Sequence, residues 1–276
     1  MPDPSESSRL LANAAHTIER RDAEILLARC WNKTRAQLLV HMGESVPAEV
    51  AARFEDACRQ RAAGVPVAYL LGVREFWSLE FAVNPAVLVP RPETELLVER
   101  VLQLVTTAEA SVADLGTGSG AIAIALAHER PNWRLLGTDT SPEALAVARG
   151  NGERLVDGRV EWALGDWYAA LARRRFHALA SNPPYIAGAD AVLGGDGLRH
   201  EPRGALTPGG DGLAALATLI NGAPEHLLPG GWLALEHGQT QGEPVRSLLV
   251  ARGFTHVTSH RDLAGHERVT EGNLAT

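Results

Sequence analysis

The chain has 276 residues, 45% of them hydrophobic, enough to build a real core in one large domain or in a catalytic domain with a smaller companion. Its formal net charge of −7 excludes a general polyanion binder and leaves room only for a local basic groove. No run approaches the ~18 apolar residues of a membrane span. The polar start MPDPSESSRL also lacks the basic-then-apolar order of a secretion signal, so a cytoplasmic protein with no membrane partner is expected.

Residues 1–75 read as helices. "DAEILLARCW" and "RAQLLVHM" keep helical spacing; Ser45 reads as an N-cap ahead of Pro47, and Gly64 with Pro66 stops the helix that follows. Cys30 and Cys58 are too few for a disulfide framework and read as buried thiols. Basic and acidic residues nearly balance over 1–80, 10 against 11, so this is a small helical domain and not a basic nucleic-acid module. Residues 76–90 change pattern. "EFWSLEFAVNPAVLVP" alternates apolar with polar and carries a turn signal at Asn84-Pro85, which predicts a β-hairpin linker.

Residues 91–276 begin with a helix, "PETELLVERVLQLV", whose Glu93 and Glu95 suit its N-terminal dipole. From Ser111 strands and helices alternate: "SVADLG", "WRLLGTD", "RVEWALGD", "FHALASN" and "GWLALEH" read as strands with helical runs between them. That order predicts an α/β fold with a parallel sheet covered on both faces. The tail "FTHVTSHRDLAGHERVTEGNL" reads as an antiparallel pair turning near Gly265. Such an ending suits a seven-stranded methyltransferase-like sheet better than a plain dinucleotide fold.

"DLGTGSGA" follows the first of these strands and opens a helix. Gly116, Gly118 and Gly120 allow a tight turn and close backbone approach to a ligand, with Thr117 and Ser119 between them. Asp139 ends the second strand, where a carboxylate accepts hydrogen bonds from both ribose hydroxyls. Taken alone this also fits a nicotinamide cofactor. Asp114 departs from that expectation, because a carboxylate inside a strand is costly to bury without a cationic partner. Facing a sulfonium or an α-ammonium group it becomes useful, and S-adenosylmethionine carries both. Asp166 offers an acceptor for the adenine amine; Trp167 packs on the ring or is ordinary core.

"LASNPPYIAG" ends the fourth strand on two prolines, at the sheet edge where ligands gather in such folds. A planar nitrogen conjugated to a carbonyl is a poor nucleophile until it pyramidalises. The side-chain oxygen of Asn182 and the backbone carbonyl of Pro183 supply two acceptors for its two N–H bonds. Pro183 and Pro184 hold the corner extended without competing donors. Tyr185 stacks on the acceptor group or closes the wall. No nucleophilic side chain and no metal is needed; His200, His237, His260 and His266 have no metal-ligand spacing.

The segments "DAEILLA", "GVREFWSLEFAVNPAVLVPRPETELLVE", "DLGTGSGAIAIALA", "ASNPPYI", "HEPRGAL", "GGDGL" and "RDLAGHERV" span nearly the whole chain. Together they resemble the release-factor glutamine methyltransferases of the HemK/PrmC type. The glycine loop is common to many methyltransferases, and Asn-Pro-Pro-Tyr is shared with enzymes acting on exocyclic base amines; Pro-Arg-Pro-Glu-Thr-Glu and Arg-Asp-Leu-Ala-Gly-His are more specific. The resemblance implies methyl transfer from S-adenosylmethionine to the glutamine amide of the Gly-Gly-Gln motif in peptide chain release factors, with S-adenosylhomocysteine as product. It implies that Gly116 to Gly120, Asp139, Trp167 and Asn182 contact the cofactor and that Asn182 to Tyr185 hold the glutamine. It makes Arg91 and Glu201 candidates for substrate contact, beside the readings that Arg91 is a surface residue and Glu201 a loop anchor. It further implies that the N-terminal helices grip the release factor; a monomer without direct nucleic-acid contact is expected.

Three other readings stay open on the residues alone. A ribosomal-protein glutamine methyltransferase shares the chemistry. A nucleobase-amine methyltransferase shares the proline corner, although a basic companion domain is then expected. A nicotinamide oxidoreductase or non-catalytic nucleotide binder leaves Asp114 and the corner without a task.

Overall fold

Residues 6–275 are described in a computed structural model of the chain; residues 1–5, part of the polar start discussed above, lie outside them. The described residues divide into two compact units, 6–72 with 194–200, and 73–193 with 201–275.

In the first unit the helical spacing of the sequence produces α1 (Glu6–Ala14), α2 (Arg20–Cys30), α3 (Arg35–Val40), α4 (Ala48–Ala62) and α5 (Val67–Leu71). Leu11, Leu26, Leu27, Leu38, Val50 and Phe54 form its core. Thr34 caps α3 and Gln37 returns the bond, a reciprocal capping box. Ser45 does not cap α4. Pro47 holds that position, its fixed φ suited to a helix entry, and the Ser45 hydroxyl donates instead to Glu6. Cys58 is buried and Cys30 half-buried, and burial pushes the Cys58 thiol up to about 11. Residues 194–200 join this unit through Gly197, whose N–H reaches the Gly64 carbonyl, and through Arg199 and His200, which meet the Ala63 carbonyl.

The second unit opens with a hairpin, β1 (Val73–Phe76) and β2 (Leu79–Ala82). Its turn is at Trp77-Ser78, with φ of 53° and 57°, and not at Asn84-Pro85. Asn84 instead makes a local turn, its side chain accepting from the Ala86 N–H. A short 3-10 turn, Pro92–Thr94, then leads into α6 (Glu95–Leu104). Next come β3 (Ser111–Leu115), α7 (Ala121–Glu129), β4 (Arg134–Asp139), α8 (Pro142–Val156), β5 (Val160–Leu164) and β6 (Phe176–Ser181). The chain closes with α9 (Arg203–Leu206), α10 (Ala214–His226), β7 (Leu227–Glu236), α11 (Gly242–Arg252), β8 (Phe254–Arg261) and β9 (Glu267–Leu274).

These strands form one seven-stranded sheet in the order β5-β4-β3-β6-β7-β9-β8, parallel except for β9, which runs antiparallel to β7 and β8. The strand order reverses between β3 and β6, the crevice where open α/β sheets bind ligands. The two pair directly, Asp114 beside Ala180, so the glycine loop and the proline corner leave the same edge side by side.

Alternation along the strands divides the core into two layers. Val112, Ala178, Ala180 and Ala234 face α6 and α7, with Leu97, Val98 and Ile124. Ala113, Leu115, Leu179, Leu233 and Leu235 face α10 and α11, with Leu216, Ile220 and Leu249. By that register Asp114 and Glu236 belong to the first face. No helix among the described residues is long and apolar enough to cross a membrane.

Candidate active site

Four strand ends and two flanking segments frame a cavity of about 230 Å³ at the sheet's ligand-binding edge. Gly116, Gly118, Asp139, Trp167, Asn182 and Pro184 line it. Residues expected from four separate stretches of sequence therefore meet at one place. Gly116 has φ of 75°, and a Cβ there would lie 3.3 Å from the Trp167 ring, so a side chain would close the space between loop and indole. The Asp139 carboxylate is oriented by two backbone donors, Gly118 N–H and Ser141 N–H, each at 2.9 Å. A carboxylate has about four acceptor sites, so it retains capacity for ligand hydroxyls.

Several expected residues stand behind this lining. Thr117 and Ser119 are buried. Gly120 opens α7, where a Cβ would press on Trp162 and Ile124. Asp166 is exposed and precedes the 3-10 turn Trp167–Leu171. Asp114 does not line the cavity. Strand alternation turns it under the loop, where Oδ2 accepts from the Thr117 hydroxyl at 2.5 Å and from the Ala123 N–H at 3.3 Å. Its Oδ1 has no hydrogen-bond partner among the described residues, and burial pushes the carboxyl up to about 7.

At the proline corner Asn182 is half-buried and Pro183 buried. Asn182 Nδ2 donates to Thr94 Oγ1 at 3.1 Å, which leaves Oδ1 as the end available to a ligand. The Tyr185 hydroxyl donates to Glu236 Oε1 at 3.2 Å, and its backbone carbonyl accepts from Gln241 Nε2 at 3.0 Å. Burial, with the nearby Glu236 charge, holds the Tyr185 hydroxyl well above its ordinary range. The corner is thus held from behind by side chains on α6's approach, on β7 and ahead of α11.

Glu201 is buried and fully engaged. Its Oε2 accepts the Val89 N–H at 3.1 Å and its Oε1 pairs with Arg91. The pair ties residues 89–91 to the start of α9, and the neighbours of both, Ala86 to Leu88 with Pro202, Gly204 and Ala205, flank the cavity. Sequence reasoning singled out none of those flanking residues. They are apolar or small, and only their nearness to Arg91 and Glu201 marks them. It also missed Thr94 and Glu236, although a carboxylate ending the otherwise apolar "WLALE" is the same signal that drew notice at Asp114.

His237 is buried between Thr270 Oγ1 at 2.7 Å and the Gly238 carbonyl at 2.8 Å, and burial lowers its basicity. Among the described residues no three His, Cys, Asp or Glu side chains group as metal ligands would.

Residues 5–72 match the family described as the PrmC N-terminal domain, and residues 92–213 match the methyltransferase small domain. Over 273 residues the chain is 49% identical to the release factor glutamine methyltransferase of Xylella fastidiosa, covering 99% of this chain and 98% of that protein. The release factor glutamine methyltransferase of Burkholderia pseudomallei is 48% identical over 280 residues, with the same coverage. A solved methyltransferase structure from Pyrococcus furiosus aligns with a TM-score of 0.55 at 19% identity, over 80% of this chain and 98% of that one, a likeness of fold.

Proposed function

The chain belongs to the release factor glutamine methyltransferase family, and from that premise we propose that it methylates the side-chain amide nitrogen of the glutamine in the Gly-Gly-Gln motif of peptide chain release factors. The methyl donor is S-adenosylmethionine, and the protein works as a cytoplasmic monomer whose N-terminal helical unit grips the release factor. The observation that carries the reading is the Asn182 amide. Its NH2 end is turned to Thr94, so its acceptor end is left for a substrate N–H, beside the glycine loop.

The residues present fit the donor. Gly116 and Gly118 would give it backbone without side chains, Asp139 would accept the ribose hydroxyls, and Trp167 would pack on the adenine ring; Asp166, exposed beside Trp167, would be the acceptor for the adenine amine. Asp114 supports the loop from beneath through Thr117 and Ala123. When bound, S-adenosylmethionine supplies a methyl group made electrophilic by the sulfonium.

The chain's own part is to prepare the amide. Asn182 Oδ1 and the Pro183 carbonyl accept the two N–H bonds of the glutamine side chain and draw them out of the amide plane. The nitrogen lone pair, delocalised in the flat amide, is then released toward the incoming carbon. Pro184 and Tyr185 hold the acceptor group in register, and Arg91 with Glu201 keeps the cavity's flanks in place. Orientation of this kind supplies up to ~7–11 kcal/mol, and dipoles fixed before reaction add to it. The proton leaves the methylated, cationic nitrogen after transfer.

Peptide-mapping mass spectrometry of purified release factors, incubated with the enzyme and methyl donor, tests the assignment. One added methyl on the Gly-Gly-Gln glutamine is expected. Methylation only of a ribosomal protein or of nucleic acid overturns it.

A further inference from the structure

Behind the proline corner lies a carboxylate that the chemistry above does not use. Glu236 ends β7 on the same face as Asp114, and its side chain is buried. It takes the Tyr185 hydroxyl on Oε1, and its Oε2 has no hydrogen-bond partner among the described residues. Thr94 lies between it and Asn182: Asn182 Nδ2 donates to Thr94 Oγ1, and the Thr94 hydroxyl acts to stabilise the charged form of Glu236. We propose that Glu236 and Thr94 are positioning residues that set which end of the Asn182 amide meets the substrate. The inference rests on the reading that Asn182 accepts a glutamine N–H.

The argument is one of hydrogen-bond polarity. A charged carboxylate accepts and never donates, whereas a hydroxyl has two lone pairs but only one proton to give. With Glu236 charged, the Thr94 proton is directed toward it, and only a lone pair of Thr94 is left for Asn182. Asn182 must then give its NH2 end to Thr94 and present Oδ1 to the substrate. With Glu236 neutral, its proton goes to Thr94 and the Thr94 proton to Asn182. The amide turns over, and an NH2 group meets the N–H groups of the glutamine, donor against donor. With Thr94 and Glu236 buried, the chain has few other ways to satisfy these two members. Around Glu236 the charged or titratable groups are Glu93, which disfavours its ionisation, Tyr185, and Arg268 on β9, which with the two hydroxyls favours it. Burial outweighs them and pushes the carboxyl up to about 7, so both states are reached near neutral pH.

Single-turnover methyl transfer to intact release factor, followed across neutral pH, tests this. Wild type is expected to slow as pH falls through about 7. Glu236→Gln, whose amide both donates and accepts, slows about 10- to 100-fold and loses that acid limb. Its affinities for S-adenosylhomocysteine and release factor stay within about twofold. Thr94→Val gives the same loss, Thr94→Ser restores the rate, and the Glu236→Gln/Thr94→Val double variant is no slower than either single one, as expected for groups acting in one chain. A wild-type acid limb in Glu236→Gln, or additive losses in the double variant, overturns the inference. If Glu236→Gln fails to bind S-adenosylhomocysteine, the Thr94 pair decides, and a Thr94→Val enzyme at the wild-type rate overturns it. Asn182→Ala separates the layers: inactive Asn182→Ala beside fully active Glu236→Gln and Thr94→Val sinks this inference alone, whereas fully active Asn182→Ala sinks the Asn182 reading with it.

Discussion

Gly212 shows how much of the site depends on single residues far from it in sequence. Its φ is 85°, and a Cβ there would collide with the Tyr185 carbonyl oxygen, the rear support of the proline corner. Gly212→Ala should therefore destabilise the fold by about 1–3 kcal/mol in urea unfolding, and slow methyl transfer more than it weakens S-adenosylhomocysteine binding. An unchanged rate would show that the corner tolerates displacement. Asp114 makes a pH prediction. Its carboxyl sits near 3.8 in the unfolded chain and is pushed up to about 7 by burial, opposed by the Thr117 hydroxyl and the Ala123 N–H. Between those values the folded chain keeps a proton that the unfolded chain has released, so stability falls as pH rises through the window and levels above it. Asp114→Asn should gain stability relative to wild type from about pH 4 to about 7 and hold the gain above. Glu236 contributes a slope of the same sign, so the variant keeps part of the fall. Urea midpoints across pH check this; parallel curves for the two proteins would contradict it.

At the scale of elements, two flanking segments are held by one buried ion pair. Glu201 joins Val89 and Arg91 to the start of α9, and the cavity's walls extend from both partners. Glu201→Ala leaves Arg91 and a backbone donor without their acceptor and should cost about 3 kcal/mol. Arg91→Ala should cost less, because Arg91 is one-third exposed. Both should weaken S-adenosylhomocysteine binding in calorimetry; an unaffected affinity would mean that the walls do not need the anchor. The elements themselves were legible in the sequence. Strands of the form "SVADLG" and "FHALASN" and the antiparallel tail produce the observed sheet because their apolar periodicity has no other use. The hairpin turn was misplaced for a physical reason. Asn84-Pro85 has turn chemistry, whereas Trp77-Ser78 adopts positive φ with side chains that do not favour it. Trp77 is held there by long-range bonds, its N–H on Glu95 and its indole on Glu129, that no local pattern announces. Asp114 was read as a ligand contact because its burial was visible and its face was not. Which side of β3 it takes depends on register with α7, and that is a tertiary fact.

The molecule as a whole pairs a methyl-transfer unit with a helical unit. On α3 the neighbours Leu39 and Val40 are 58% and 82% exposed, an apolar pair left outside a core that already holds Leu38. If the helical unit grips the release factor, Leu39→Ser/Val40→Ser should raise KM for release factor about tenfold with kcat and S-adenosylhomocysteine affinity unchanged. An unchanged KM would take this face out of recognition. The sequence places the change from helical to alternating pattern at residue 76, whereas the two units divide after residue 72, and no sequence signal marks the return of residues 194–200 to the first unit. That segment has no periodicity, and its place is fixed by Gly197, Arg199 and His200 reaching the carbonyls of residues 63 and 64. The claim on which the molecule's activity depends is local: the acceptors at the end of β6 receive a glutamine amide. A crystal structure with S-adenosylhomocysteine and a peptide containing Gly-Gly-Gln tests it most directly. The account predicts the glutamine side-chain nitrogen at about 2.7–3.2 Å from both Asn182 Oδ1 and the Pro183 carbonyl oxygen. A peptide bound with that nitrogen away from the corner, or facing the Asn182 NH2 group, would contradict it.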